Sequence, residues 1–281
     1  MTNCRCFVMT TCWLLLLPLF VAAQTPPIPA DESRTVANSG NKTSTTTQVD
    51  PELILELGGS YEHLTNGSPD WQSYFLAFNR KFASGQTLYG SGSAVRRFDQ
   101  TDPNLMVGFV QPLGDSRSWI ATFEGAGSPT HQVLPVFSLS GRIDHKFGAG
   151  WVGNAGIRFN TYGQDKVTMG IFGVEKYFKQ YRAAYTVYVA HLNGQGTSVS
   201  HLGQLNYYYG DRNSVGINVA LGQEIESLGE GRLLRTPVTE VSISGRHWIN
   251  KKWGFSYWGG WHRQGTLYTR SGAQIGLLLR F

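Results

Sequence analysis

In the last stretch of this chain apolar side chains stand at every second position, Ala273, Ile275, Leu277, Leu279 and Phe281, with Gln274, Gly276 and Arg280 between them. A period of two puts those five on one face of an extended strand. Such a dyad repeat running into an aromatic residue and a free carboxylate is the terminal strand expected of a transmembrane β-barrel. On this reading Ile275, Leu277, Leu279 and Phe281 form the signal recognised by the outer-membrane assembly machinery.

The opening residues agree. Arg5 precedes an apolar stretch over 7–20, and Val21-Ala22-Ala23 sets small residues before Gln24. Residues 1–23 therefore read as a secretory signal peptide. Thr10, Thr11 and Pro18 interrupt the stretch, which falls short of the roughly 20 residues of a spanning helix. No second long apolar run exists, which excludes a helical membrane protein. Cys4, Cys6 and Cys12 all lie in this leader without a lipid-attachment setting, so the mature chain has no cysteine, disulfide or thiolate metal site. Residues 24–50, with Thr25-Pro26-Pro27-Ile28-Pro29 and a following Ser/Asn/Gly/Thr tract, carry too few apolar groups to offset the entropy of ordering. A disordered periplasmic tail is expected there, and 51–281 is left as one barrel domain.

Composition fits an object apolar on one side only. The chain of 281 residues has 34 Gly, 13 Tyr and 8 Trp, yet its mean hydropathy is −0.22. The formal charge of +5 is spread along the chain rather than gathered into a stripe, which argues against nucleic acid and is compatible with anionic lipid head groups, lipopolysaccharide included, or glycans.

From residue 51 onward, period-two segments alternate with turn chemistry. Fourteen strands are predicted, at 53–63, 71–82, 86–98, 104–113, 118–127, 135–147, 151–162, 167–178, 181–192, 200–210, 214–226, 238–249, 253–263 and 268–281. The fold class is all-β, a transmembrane up-and-down antiparallel β-barrel of about fourteen strands in the bacterial outer membrane. Short connections such as Ala83-Ser84-Gly85 and Gly148-Ala149-Gly150 alternate with longer ones, as periplasmic turns and surface loops should; the longest is 227–237. Phe82, Trp119, Phe147, Trp151, Tyr177, Tyr181, Trp253 and Phe281 fall beside the short turns and read as an interfacial girdle. Two strands sort poorly: Leu88, Gly90, Val95 and Phe98 share no face in the third, and Val167, Met169 and Ile171 oppose Phe172 and Val174 in the eighth. A bulge or a packed patch inside the lumen is expected at each.

Over about 51–281 the chain resembles the YaiO family of outer-membrane β-barrels. The resemblance rests on Leu55-Glu56-Leu57-Gly58-Gly59-Ser60-Tyr61-Glu62 followed by Trp71, on Gly156-Ile157-Arg158-Phe159, on Gly173-Val174-Glu175-Lys176-Tyr177 leading to Tyr181-Arg182, and on Tyr207-Tyr208-Tyr209-Gly210-Asp211. Where family members tend to carry a basic pair before the tyrosine and glycine of the tenth strand, this chain has Asn206-Tyr207. The resemblance implies a barrel serving envelope glycan traffic, with no catalytic mechanism attached.

The polar set on the predicted inward faces is Glu124, Arg142, Asp144, Arg158, Arg182, Glu224, Glu240 and Arg246. Opposite charges on neighbouring strands can pair and stiffen the wall, or an arginine ladder can face a carboxylate side and pass or bind anionic or sugar solutes. Trp258, inward among Gly254, Ser256 and Gly260, either stacks on a sugar ring or fills space opposite glycines. A non-enzymatic channel, export or binding barrel for envelope carbohydrate is the expected function. The alternatives are a lipid-modifying outer-membrane enzyme and a structural or adhesive barrel. An enzyme would draw on Ser128 with His131, or His191 with His201, whereas Gly114-Asp115-Ser116 reads as a turn. No metal spacing, phosphate loop or calcium motif appears, and no cofactor is expected. Intact-mass analysis of the envelope protein should give a mature N-terminus at or near Gln24; a retained leader would overturn the signal-peptide assignment.

Overall fold

The computed structural model describes residues 50–281 apart from 66, 68, 163–164, 193–195, 211 and 228–232. The expected leader and almost all of the expected tail lie outside the described residues. The fourteen strands are β1 (Glu52–Leu64), β2 (Trp71–Lys81), β3 (Thr87–Arg97), β4 (Gln100–Leu113), β5 (Trp119–Gly127), β6 (Phe137–Gly148), β7 (Trp151–Tyr162), β8 (Asp165–Phe178), β9 (Tyr181–Leu192), β10 (Gly196–Tyr209), β11 (Asn213–Ser227), β12 (Leu233–Trp248), β13 (Trp253–Gln264) and β14 (Tyr268–Arg280). Each pairs antiparallel with its neighbours in sequence, and β1 pairs with β14 to close the barrel.

Closure matters because lipid offers backbone groups no hydrogen-bond partner, and an open edge would leave a row of them unsatisfied. The seam runs from Ile54↔Arg280 to Leu64↔Arg270. It is finished at the periplasmic end by the Phe281 N–H donating to Leu53 O at 2.9 Å. Glu52 sits beside this end, accepts from Arg212 and forms an ion pair with Arg280 Nε at 2.5 Å.

Alternation sets the faces. Leu57, Leu76, Leu105, Phe123, Ile217, Ile243, Ile275 and Leu277 are exposed on the outer face, where lipid takes them up. Phe82, Trp119, Phe147, Trp151, Tyr181, Trp253 and Phe281 are exposed at the periplasmic end as the girdle reading expected. Tyr177 corrects that reading. It pairs with Arg182 across β8 and β9 and its hydroxyl donates to Glu175 at 3.0 Å, so it belongs to the lumen.

Three strands start four or more residues earlier than the pattern indicated, β4 at Gln100, β10 at Gly196 and β12 at Leu233. Their added residues lie at the outer end, where hairpins project beyond lipid and the outward side chain no longer has to be apolar; Thr101 and Thr197 are both exposed. The same extension shortens the expected 227–237 loop, since β11 and β12 stay paired to Ser227↔Leu233. Its tip, 228–232, lies outside the described residues.

The two strands that sorted poorly are packed patches. Neither β3 nor β8 carries a register shift; the irregularity falls between Lys146 and Gly148 of β6, against β7. Val167 and Met169 of β8 pack inward with Ala190, Leu192, Tyr162, Ile171 and Tyr188. Val95 of β3 packs with Val133 and Leu134 from the loop between β5 and β6. Each apolar side chain taken out of a watery lumen in this way contributes about 1.5–3 kcal/mol.

Deleting Phe281 removes the last seam hydrogen bonds and an exposed girdle ring. The truncated chain should show a clearly reduced heat-modifiable folded band in outer-membrane fractions, and an unchanged band would count against this account of closure.

Candidate functional site

The lumenal wall divides into two arcs and an outer mouth. In the first arc, charges come from five successive strands, Glu124 on β5, Arg142 and Asp144 on β6, Arg158 on β7, Glu175 on β8 and Arg182 on β9. Arg158 Nη2 meets Glu124 Oε1 at 3.2 Å, and Arg142 Nε meets Asp144 Oδ2 at 3.1 Å. Arg182 grips Glu175 with two bonds, Nε to Oε2 at 2.7 Å and Nη2 to Oε1 at 2.8 Å, and its Nη1 donates to Asn206 Oδ1 at 3.1 Å. Tyr89 adds a donor to Glu124 Oε2 at 3.1 Å. Its ring fits only because residue 108 is glycine: a Cβ there would lie 2.1 Å from the phenol ring.

Arginines and carboxylates thus alternate along one wall; the ladder facing a carboxylate side is not what forms. Asn206 takes one N–H of Arg182. Glu175 is the member that sequence reasoning did not place inward. Its face carries Val167, Met169 and Ile171, so the apolar patch hid the parity that would have exposed it.

The second arc, β10 to β14 and on to β3, is rich in amides, hydroxyls and glycine, with a few charged and aromatic side chains among them. Gln204 Nε2 donates to Asn218 Oδ1 at 2.9 Å, and Asn218 Nδ2 to Ser242 Oγ at 3.3 Å. Ser256 donates to Glu56, and Ser60 and Ser73 share a bond of 2.8 Å. Trp258 is inward and half-buried, paired in register with Ser244 and Gln274; its indole lies over Gly260, where a Cβ would come within 2.5 Å. Glu240 lies 3.3 Å from His262 Nδ1, and His262 Nε2 meets Gln264 Oε1 at 2.8 Å. Arg246 stands in register with Ser214 and Ser256 and makes no ion pair among the described residues. Glu224 is in register with Thr236, and its side chain lies outside the described part.

At the outer mouth the loop between β5 and β6 turns into the barrel. Asp102 of β4, fully buried, accepts from Thr130 Oγ1 at 2.5 Å and from the N–H groups of Gln132, Val133 and Leu134 at 3.0, 2.7 and 2.9 Å. One carboxylate therefore supplies the acceptors that this stretch of backbone needs away from water. The loop between β1 and β2 is tied down similarly. Asp70 accepts from Tyr61, from Leu64 N at 3.1 Å and from His63 Nδ1 at 2.9 Å, and the Tyr61 hydrogen bond foremost holds its carboxyl below the ordinary range.

The residues weighed for catalysis are not brought together. Ser128 Oγ accepts from the backbone N–H of His131 at 3.2 Å, while the His131 ring turns to Pro129 O. His191 meets Thr197 and His201 meets Tyr185 on the outer face, four register positions apart along β10. Residues 114–117 form a turn closed by the Arg117 N–H on Gly114 O at 3.2 Å.

The sequence model of the YaiO membrane beta barrel domain matches residues 54–226. The chain belongs to the YaiO family. In this YaiO barrel the matched region runs from β1 into β11, and β12 to β14 complete the closure. No curated protein matches it in sequence. Solved structures that are similar in fold include a bacterial polysaccharide outer membrane secretin, at 7% identity and TM-score 0.51, covering 82% of this chain and 98% of that one. A loop-deletion mutant of OmpT, an outer membrane protein of Vibrio cholerae, aligns at 9% identity and TM-score 0.50 over 83% of this chain and 99% of that one. The anion-selective porin from Comamonas acidovorans aligns at 8% identity and TM-score 0.46, over 83% and 99%. At these identities the likeness is one of fold.

Asp102→Ala should release the inward loop, because each amide left without an acceptor costs about 1–3 kcal/mol. The mature chain is expected to lack cysteine, so Val133→Cys can be labelled alone. A water-soluble maleimide added to intact cells should react slowly with Val133→Cys and much faster with the Asp102→Ala/Val133→Cys pair. Equal rates would show that Asp102 does not hold the loop.

Proposed function

We propose that this protein is a non-enzymatic outer-membrane barrel whose lumen binds or conducts polar solutes, with envelope carbohydrate as the class that the wall fits. One observation carries the reading. The inward faces put a wall of amide and hydroxyl groups, with the half-buried indole of Trp258, beside a wall of interleaved arginines and carboxylates. Sugar hydroxyls need donors and acceptors together, and Gln204, Asn218 and Ser242 offer both. The paired charges add hydrogen-bonding edges while cancelling locally, so they favour polar solutes over a net ionic flux.

Single-channel recording in planar bilayers tests this. Removing one partner of a pair leaves the other charge to set the local potential. Glu124→Ala, which frees Arg158, should shift the reversal potential in a salt gradient toward anion selectivity, and Arg158→Ala, which frees Glu124, toward cation selectivity. A lumen silent in the wild type and in both variants, joined to turnover of lipid substrates that His131→Ala abolishes, would replace this reading with the enzymatic one.

A further inference from the structure

Outside the charged arc, the outer end of the barrel stacks two arginines on one indole. Arg97, the last residue of β3, and Arg270, near the start of β14, each hold the guanidinium carbon 4.6 Å from the Trp71 ring centroid. Trp71 is 2% exposed and packs with Leu64, Tyr268, Phe98 and Leu267. Phe98 meets it edge-on at 5.3 Å, so the indole is fixed and with it the two cations.

Charge does not balance here. Glu62, across from Trp71 in the β1–β2 register, lies 3.1 Å from Arg270 Nε. That contact is an ion pair off the hydrogen-bond axis, since the buried Nε has no hydrogen-bond partner, and neither has Trp71 Nε1. Among the described residues no carboxylate lies within ion-pair distance of Arg97. Two guanidiniums therefore share one carboxylate, and Arg97, half-buried, makes no side-chain hydrogen bond among the described residues. Cation–π attraction holds the guanidinium over the ring and satisfies none of its N–H donors. A pre-oriented guanidinium of this kind matches a tetrahedral or planar oxyanion through two parallel N–H bonds.

We propose that Arg97 and Arg270, held on Trp71 with Glu62 setting the net charge, form an anion-binding site at the outer mouth that takes one phosphate or carboxylate group. Arg97 makes the bidentate contact, and the buried Arg270 adds its positive field from behind. The site stands apart from the lumenal arcs and does not depend on whether the lumen conducts.

The test is calorimetric titration of the purified full-length mature barrel, in non-ionic detergent, with inorganic phosphate and separately with glucuronate. At least one should bind at one per chain. Arg97→Gln should weaken that binding about tenfold or more, Arg97→Lys should fall between, and Arg263→Gln, which removes an exposed outward cation at the same rim, should leave it unchanged. Heat-modifiability on gels verifies that each variant is folded. Phosphate binding alone assigns the site to phosphorylated groups, glucuronate alone to uronic acids, and both to oxyanions in general. Binding of neither, or an equal loss in Arg97→Gln and Arg263→Gln, overturns the site.

Discussion

The structure depends on one requirement, that every backbone N–H and C=O crossing lipid finds its partner in a neighbouring strand. The β1–β14 seam meets it by joining the two ends of the chain. Once the ladder is closed, little else about the wall is free: the outward residue of each pair meets lipid, the inward one meets the lumen, and connections must stay short at one end. Gly150 shows how tight that end is. It sits at φ +78°, and a Cβ there would fall 2.3 Å from the Tyr177 carbonyl oxygen.

Closure leaves the interior to be settled, and a barrel of this size settles it by unequal filling. Large inward side chains lie over glycines on the next strand, Phe75 over Gly58 as Tyr89 over Gly108, so rings cross the wall where a methyl group would block them. At the outer end three apolar clusters and the loop held by Asp102 occupy space that water would otherwise take. Amide and hydroxyl groups dominate from β10 round to β3. The outer mouth is therefore packed, and the hydrogen-bonding surface lies deeper in the lumen.

The charged arc obeys the same economy of space. Side chains one or two strands apart are the neighbours within reach, so Arg158 of β7 meets Glu124 of β5 past β6, and Arg182 meets Glu175 on the adjoining strand. Pairing of this kind offsets the cost of drawing charge from water, and loss of one partner is worse than loss of both. The Trp71 cluster departs from this pattern, because Arg97 has a ring in place of a carboxylate.

Period-two alternation was enough to read the class, the strand number and most strand limits, because lipid on one side and water on the other force a simple code on every membrane-crossing residue. It failed wherever the code was relaxed. Beyond the lipid, around Thr101 and Thr197, the alternation lapses and the first residues of β4 and β10 read as loop. Inside the lumen, Val167 and Met169 mimicked an outward face and hid Glu175 and Tyr177 on the same side. Sequence likewise placed Arg142, Arg158, Arg182 and Glu124 inward, since parity alone decides that. Which carboxylate each arginine takes, that Asp102 gathers three amides from a loop some thirty positions away, and that Arg97 and Arg270 meet on Trp71 were decided by register and closure. The stack on Trp71 joins strands from opposite ends of the chain, and no local pattern carries the distance between them.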